Sequence, residues 1–204
     1  MGPRRAFACL GLLAALALPL FCGEEELMRR VRSAIVASQP FRVDFVQQVL
    51  IDGALELQES GVIVFAHRER VKWEYLDPES KIFILERDRY RFFDRENNQL
   101  LLGRVGAGGE QLIWELLLAE RPGSVRWDAA TRTVSLSVPG QEGPQQLKVI
   151  VGADYLPQRV EQAAENGVTT VYLFRNYRRR VALAPGEFDL DLPADVDRVE
   201  EQLP

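Results

Sequence analysis

The sequence predicts a mainly β protein with helices, of the α+β class, in which a barrel or strongly curved sheet surrounds a hydrophobic cavity. About ten short alternating or apolar segments follow one another at regular spacing, whereas only two segments have a helical period. Turn dipeptides such as Asp52-Gly53 and Asn166-Gly167 separate neighbouring segments. Many short strands at such spacing indicate a barrel or a curved sheet.

The amino terminus has the features of a secretory signal peptide, residues 1–23. Arg4 and Arg5 form a basic start, and the apolar run that follows is too short for a comfortable membrane span before three glutamates begin. We expect cleavage after Gly23, which leaves one mature domain, residues 24–204.

Cys22 leaves a second interpretation of this terminus open, a bacterial lipoprotein acylated at that cysteine. Phe21 directly before it fits lipoprotein processing poorly. The other cysteine, Cys9, lies within the predicted signal, so we expect no disulfide within the mature chain. Without residues 1–23 the chain has 23 basic and 30 acidic residues, a net charge of −7, which argues against a nucleic-acid partner.

The first element of the mature chain is predicted to be a helix, Glu24 to Ser38. Leu27, Val31 and Ile35 recur on one face of that helix, and Pro40 ends it. A hairpin follows, because a strand at residues 41–51 precedes the tight turn Asp52-Gly53 and a partner strand at residues 54–65. Further strands are predicted at residues 71–75, 81–86, 90–94, 99–105, 125–127, 133–138, 146–151, 156–162 and 168–174.

The last of these strands, Val168 to Phe174, has bulky or β-branched residues on both faces. An antiparallel strand with one face in water would alternate instead. We therefore expect both faces to be buried, or one face to line an apolar cavity. The tail, Leu183 to Pro204, contains Pro185 and Pro193 and is predicted to extend over the sheet.

A second helix is predicted at residues 110–120, after the glycine-rich joint at residues 106–109. Its side chains are apolar nearly all round, so we expect it to be covered on more than one side. A sheet with an apolar inner face and this helix as a detachable cover accounts for the strand that has bulky residues on both faces and for the helix that is apolar nearly all round. The enclosed cavity would suit acyl chains, because each buried methylene contributes about 0.8 kcal/mol.

The sequence lacks the motifs of the common catalytic and metal sites. His67 is the single histidine, and neither a G-x-S-x-G nucleophile turn nor a mature cysteine cluster is present. We therefore predict no enzymatic activity, no cofactor and no metal. A hydrolase that uses His67 is the remaining catalytic alternative.

Several segments resemble the periplasmic outer-membrane lipoprotein carrier (LolA) family. Phe41-Arg-Val-Asp-Phe-Val-Gln-Gln48 is similar to the family's opening strand, and Val71-Lys-Trp-Glu-Tyr75 with Asp77-Pro78 is similar to its R-P-x-x-x-R-W-x-Y-x-x-P segment. The terminal pieces Leu156-Pro157, Asn166-Gly167, Phe174-Arg-Asn176 and Pro185-Gly-Glu-Phe188 resemble the last hairpin and tail of the family.

The resemblance implies an incomplete antiparallel barrel whose cavity is covered by a helical lid. It implies a periplasmic carrier in a Gram-negative bacterium, which receives acylated lipoprotein cargo from an inner-membrane ATP-driven exporter and passes it to an outer-membrane receptor. No cofactor or nucleic acid is implied, and we expect a monomer. If Cys22 is acylated, the same scaffold would be a membrane-anchored lipoprotein receptor or an envelope lipid-sensing module.

The acyl cavity and the latch of its lid can be assigned residues on this basis. We expect the cavity lining to include Phe45, Phe65, Val71, Trp73, Phe93, Trp114 and Leu117. The family's lid arginine falls at His67 in this chain, and its following proline falls at Arg68, so one of these two residues is expected to latch the lid. Imidazole lacks the guanidinium fork, and its charge depends on pH.

Overall fold

The computed structural model describes residues 22–67, 70–104, 124–140, 143–163 and 167–200, which form one α-helix and twelve β-strands. The helix is α1 (Cys22–Ser38). The strands are β1 (Phe41–Ile51), β2 (Ala54–His67), β3 (Arg70–Asp77), β4 (Lys81–Glu86), β5 (Arg89–Asp94), β6 (Gln99–Arg104), β7 (Ser124–Asp128), β8 (Thr133–Gly140), β9 (Gly143–Val151), β10 (Pro157–Ala163), β11 (Val168–Arg179) and β12 (Asp197–Glu200). All twelve strands lie in a single sheet, in the order β12-β6-β5-β4-β3-β2-β1-β11-β10-β9-β8-β7.

Two antiparallel meanders make up this sheet. One runs from β1 to β6 and the other from β7 to β11, and the pairing of β1 with β11 joins them. The pairing of β12 with β6 is parallel. Within the described residues β12 and β7 remain as the two edges, so the sheet is open. The prediction of a mainly β protein with a curved antiparallel sheet is confirmed, whereas the second helix, residues 110–120, lies outside the described residues.

The first hairpin forms as its turn dipeptide predicts. Asp52 and Gly53 have φ angles of 49° and 83°. Two successive residues with positive φ define the turn type that matches the twist of paired strands, and Asp-Gly is one of its preferred sequences. Beyond this turn, β2 is longer than predicted and reaches His67.

One face of the sheet, called here the inner face, packs against α1. The core on this face contains Leu27, Val31 and Ile35 of the helix. It also contains alternate residues of seven strands that are neighbours in the sheet, β3, β2, β1, β11, β10, β9 and β8. Adjacent strands are about 4.8 Å apart, so β3 and β8, which are six steps apart in the strand order, would be separated by roughly 29 Å in a flat sheet. The sheet therefore curves around the helix.

The other face, called here the outer face, is covered by the carboxyl-terminal tail. Phe188 is buried against Val64 of β2 and against Ile82 and Ile84 of β4. The tail then ends as β12, which pairs with β6. The predicted path of the tail over the sheet is confirmed for its described part, residues 183–200. Its last strand was not predicted, because all four residues of β12 are exposed and show no alternation.

Strand β11 has apolar residues on both of its faces, and side chains on both faces are buried. Val171 and Tyr172 are consecutive, so their side chains lie on opposite faces of the sheet, and both are buried. Tyr172 and Phe174 belong to the inner core. At this point the sheet is covered on both faces, as the sequence predicts.

Candidate functional site

A row of apolar side chains crosses strands β3 to β6 on the inner face. In the strand register Trp73 lies opposite Phe83, Phe83 opposite Phe92, and Phe92 opposite Leu101. Residues that are directly opposite in a ladder share a face, so these four side chains form one continuous surface, called here the apolar row.

Burial decreases along the apolar row toward the β6 side. Trp73 has no exposed surface and belongs to the inner core. Phe83 packs against that core but is only half-buried, as are Phe92 and Leu101. The core that is closed under α1 therefore continues as a partly accessible apolar surface.

Ring contacts fix the orientation of the side chains around Phe83. The rings of Trp73 and Phe83 meet edge to face, with centroids 6.3 Å apart, and the rings of Phe83 and Tyr90 stack at 5.6 Å. The Tyr90 ring covers Gly103 on the neighbouring strand so closely that a Cβ atom at Gly103 would lie 2.6 Å from it. Glycine at this position therefore allows the aromatic stack to extend toward β6.

Polar side chains end the apolar surface on the side of β3 and β4. Lys81 lies opposite Tyr75, and its ammonium group is 2.8 Å from Glu59 and 2.9 Å from Glu79. The hydrogen bond to Glu59 raises the pKa of Lys81 above its ordinary value, although burial acts in the opposite direction. The hydroxyl of Tyr75 donates a hydrogen bond to the Gln47 side chain at 2.9 Å. The ion pairs of Lys81 and the hydrogen bond of Tyr75 therefore form the polar boundary of the apolar surface.

Four of the seven predicted cavity residues lie together on the inner face. Phe45, Phe65, Val71 and Trp73 are all buried in the inner core. Phe65 stacks on Phe41 with centroids 4.9 Å apart, and Phe45 meets Tyr75 edge to face at 5.1 Å. These residues support the surface from inside the core. Their predicted contact with an acyl chain stays a prediction.

The placement predicted for Phe93 is wrong. Phe93 pairs with Ile82 and Leu100 on the outer face, because it follows Phe92 on the same strand and successive side chains point to opposite faces. The residues that the sequence reasoning missed are Phe83, Phe92 and Leu101. The register of β4 with β3 would have identified Phe83, since it lies directly opposite Trp73.

Of the four remaining predicted site residues, the structure describes only His67. Trp114, Leu117 and Arg68 lie outside the described residues. His67 is exposed at the end of β2, opposite Arg70. The predicted latch therefore stays a prediction.

The described part of the chain shows no group of three or more residues of the metal-ligating types that could hold an ion. In the same residues, no helix is long and apolar enough to span a bilayer. The protein is mainly β, and the part of the chain that the structure describes forms an open curved sheet with one helix on its inner face and a half-buried apolar row beside that helix.

Comparison with solved structures identifies proteins that share this fold. An uncharacterized conserved protein from Thermus thermophilus is 16% identical, with a TM-score of 0.54, over 87% of this chain and 98% of that one. A DUF1329 family protein from Desulfovibrio piger is 11% identical, with a TM-score of 0.52, over 81% and 95%.

The structural neighbours also include LolA superfamily proteins. One from Nitrosomonas europaea is 9% identical, with a TM-score of 0.45, over 78% of this chain and 94% of that one. No protein-family model and no curated protein sequence matches the chain.

Proposed function

We propose that this protein carries acyl chains of lipoproteins on the apolar row of its inner face. The observation that carries the proposal is the change from the fully buried Trp73 to the half-buried Phe83, Phe92 and Leu101 along one continuous row. The sequence segments that resemble the LolA family, several of which form β1, β3 and the last hairpin, support it.

The apolar row offers a suitable surface for a hydrocarbon chain. Neighbouring strands add about 4.8 Å each, so the four strands of the row span roughly 14 Å. Each methylene that leaves water there contributes about 0.8 kcal/mol. Lys81 and Glu59 form a polar boundary along one side of this surface. An extended chain would therefore lie across the strands, from β3 toward β6.

The wider pathway in the proposal comes from the family resemblance. Residues 1–23 would direct export to the periplasm, and residues 24–204 would carry the lipoprotein. An inner-membrane ATP-driven exporter would deliver the cargo and an outer-membrane receptor would accept it. His67 or Arg68 would latch the cover. No bond chemistry is involved, because the work of such a carrier is solvation and transfer of the chain.

Binding of a fluorescent palmitoyl probe tests the proposal. We expect Phe83→Glu and Phe92→Glu to weaken probe binding by at least about tenfold, because losing contact with two methylenes already costs about 1.6 kcal/mol. Half-buried positions are preferred to Trp73, whose complete burial would make a glutamate there unfold the protein.

The matched control is Leu76→Glu, which adds the same charge at a side chain that is 57% exposed. Circular dichroism should show that all three variants are folded. Unchanged probe affinity in both folded Phe83→Glu and Phe92→Glu would contradict the proposal. Mass spectrometry of the mature amino terminus separates the soluble carrier, with a free amino terminus at Glu24, from a receptor acylated at Cys22.

A further inference from the structure

A groove with a volume of about 440 Å³ lies at the β5–β6 end of the sheet. Its lining includes Arg89, Arg91, Leu102, Arg104, Glu86 and Glu200. This arginine groove also includes Tyr90 and Gly103, which lie beside the apolar row, but none of the four residues of the row itself. It has the size of a small-molecule site, since such sites occupy roughly 300–1,000 Å³.

The strand register places the charged lining of the groove on the outer face. Arg89 lies opposite Glu86 on one side and opposite Arg104 on the other. Arg91 precedes Phe92 directly, so its side chain is on the opposite face from the apolar row. The groove therefore does not require the proposed acyl chain to be present.

Two of the three arginines are held by neighbours. Arg91 donates hydrogen bonds to a Glu86 carboxylate oxygen at 2.6 Å and to the Phe188 carbonyl at 2.8 Å. Arg104 pairs with Asp88 at 2.9 Å. Among the residues that the structure describes, no hydrogen bond or ion pair engages the Arg89 side chain.

Arg89 has one favourable and one unfavourable cross-strand neighbour, since it lies directly opposite Glu86 on β4 and directly opposite Arg104 on β6. Like charges at directly opposite positions of a ladder destabilise the pairing. A bound anion would remove this cost, because it would neutralise Arg89 and screen it from Arg104. Arginine also matches a phosphate geometrically, since its fork of N–H groups can donate two hydrogen bonds to one anion.

We propose that the arginine groove binds a phosphate group, with Arg89 and Arg104 donating hydrogen bonds to its oxygens. The phosphate belongs either to a phospholipid head group or to the free inorganic ion. Glu200, on β12 opposite Leu102, lines the same groove and weakens the binding through its negative charge. This site goes beyond the proposed carrier function and has its own ligand chemistry.

Titration calorimetry at low salt with inorganic phosphate and with dihexanoyl phosphatidic acid tests the site. We expect Arg89→Gln to weaken binding of the preferred probe about tenfold, the loss expected for one charge-assisted hydrogen bond. We expect Glu200→Gln to strengthen it. Arg95→Gln is the matched control, because this exposed arginine in the β5–β6 turn has the same charge but does not line the groove.

The pattern across probes and variants decides the outcome. Tighter binding of the phosphatidic acid assigns a lipid head group if Arg89→Gln weakens it and Phe83→Glu leaves it unchanged, because the acyl chains of this probe could otherwise bind the apolar row. Binding of inorganic phosphate with equal or higher affinity assigns the free ion, and both results support the site. If neither probe binds, or if Arg89→Gln behaves like Arg95→Gln, the site does not exist. The palmitoyl assay is independent of this result, because its two test variants, Phe83→Glu and Phe92→Glu, lie on the inner face.

Discussion

At the scale of single residues, the contact between Lys81 and Glu59 is a largely buried ion pair of the inner face. The side chain of Glu59 is only 7% exposed and that of Lys81 is 21% exposed, and their charged groups are 2.8 Å apart. Removing one partner of such a pair leaves a buried charge without compensation, which is more costly than losing the pair itself.

We expect Lys81→Met to lower the free energy of unfolding by about 3 kcal/mol, since it leaves the Glu59 carboxylate without its cation. The double variant Lys81→Met with Glu59→Gln should recover most of that loss, because no buried charge remains. Urea unfolding of the two variants measures both values. A double variant no more stable than the single one would show that the cost of Lys81→Met has another origin.

The same pair has a definite dependence on pH. The folded-state pKa of Lys81 is raised above its ordinary value of 10.5. The stabilisation is therefore fully present below pH 10.5 and is lost as pH rises through the folded-state pKa. The Lys81 ammonium therefore adds no pH dependence near neutrality.

Side-chain placement on the inner face was predictable only where local pattern decides it. The burial of Trp73 and Phe65 follows from alternation within one strand, so the sequence was sufficient for them. The choice between Phe92 and Phe93 depends on the number of residues between β4 and β5. A one-residue difference in that turn exchanges the faces of the whole following strand. Nothing in the sequence of the turn, Arg87-Asp88, specifies this number.

At the scale of elements, the tail is held on the outer face through Phe188 and its neighbours. The Arg70 guanidinium lies 4.3 Å from the centre of the Phe188 ring, and Arg91 donates a hydrogen bond to the Phe188 carbonyl. Beside this ring the Glu187 carboxylate accepts a hydrogen bond from Arg42 at 2.5 Å. Apolar burial and charge therefore act on the same short segment of the tail.

We expect Phe188→Ala to lower the free energy of unfolding by about 3 kcal/mol, at the lower end of the range for buried phenylalanine, because the ring packs in a small cluster. Phe188→Leu is the matched variant and should cost distinctly less, since it keeps most of the apolar contact. Thermal unfolding gives the order of stability, and limited proteolysis shows whether the tail is released. Equal stability of the two variants would contradict an anchoring role for the ring.

The hairpins and the tail differ in how well sequence predicts them. The β1–β2 hairpin follows from contacts close in sequence, an alternating strand and an Asp-Gly turn, and its bounds agree with the structure within two residues. The pairing of β12 with β6 joins residues about a hundred positions apart. Such a pairing depends on the curvature of the finished sheet and on where Phe188 is buried, neither of which has a local signal.

At the scale of the whole molecule, the curved sheet separates two chemically different surfaces. The inner face has the helix and the apolar row, whereas the outer face has the tail, its ion pairs and the arginine groove. Alternation along each strand produces this separation, because every strand contributes side chains to both faces. A ligand on one face is therefore insulated from a ligand on the other by the hydrogen-bonded backbone.

This separation predicts that the two proposed sites act independently. A ligand that binds only the folded protein stabilises it by about 2.7 kcal/mol at a concentration one hundred times its dissociation constant. We expect Phe83→Glu to reduce the stabilisation caused by the palmitoyl probe, by about half for a tenfold loss of affinity, and to leave the shift caused by phosphate intact. Arg89→Gln should do the reverse.

The double variant Phe83→Glu with Arg89→Gln measures any coupling between the faces. Since the two side chains lie on opposite faces and share no partner, their effects on stability should add within about 0.5 kcal/mol. Thermal unfolding of the wild type, the two single variants and the double variant, each with and without the two ligands, closes the cycle. A coupling above about 1 kcal/mol would contradict independence, because it would require the ligands or the side chains to interact through the sheet.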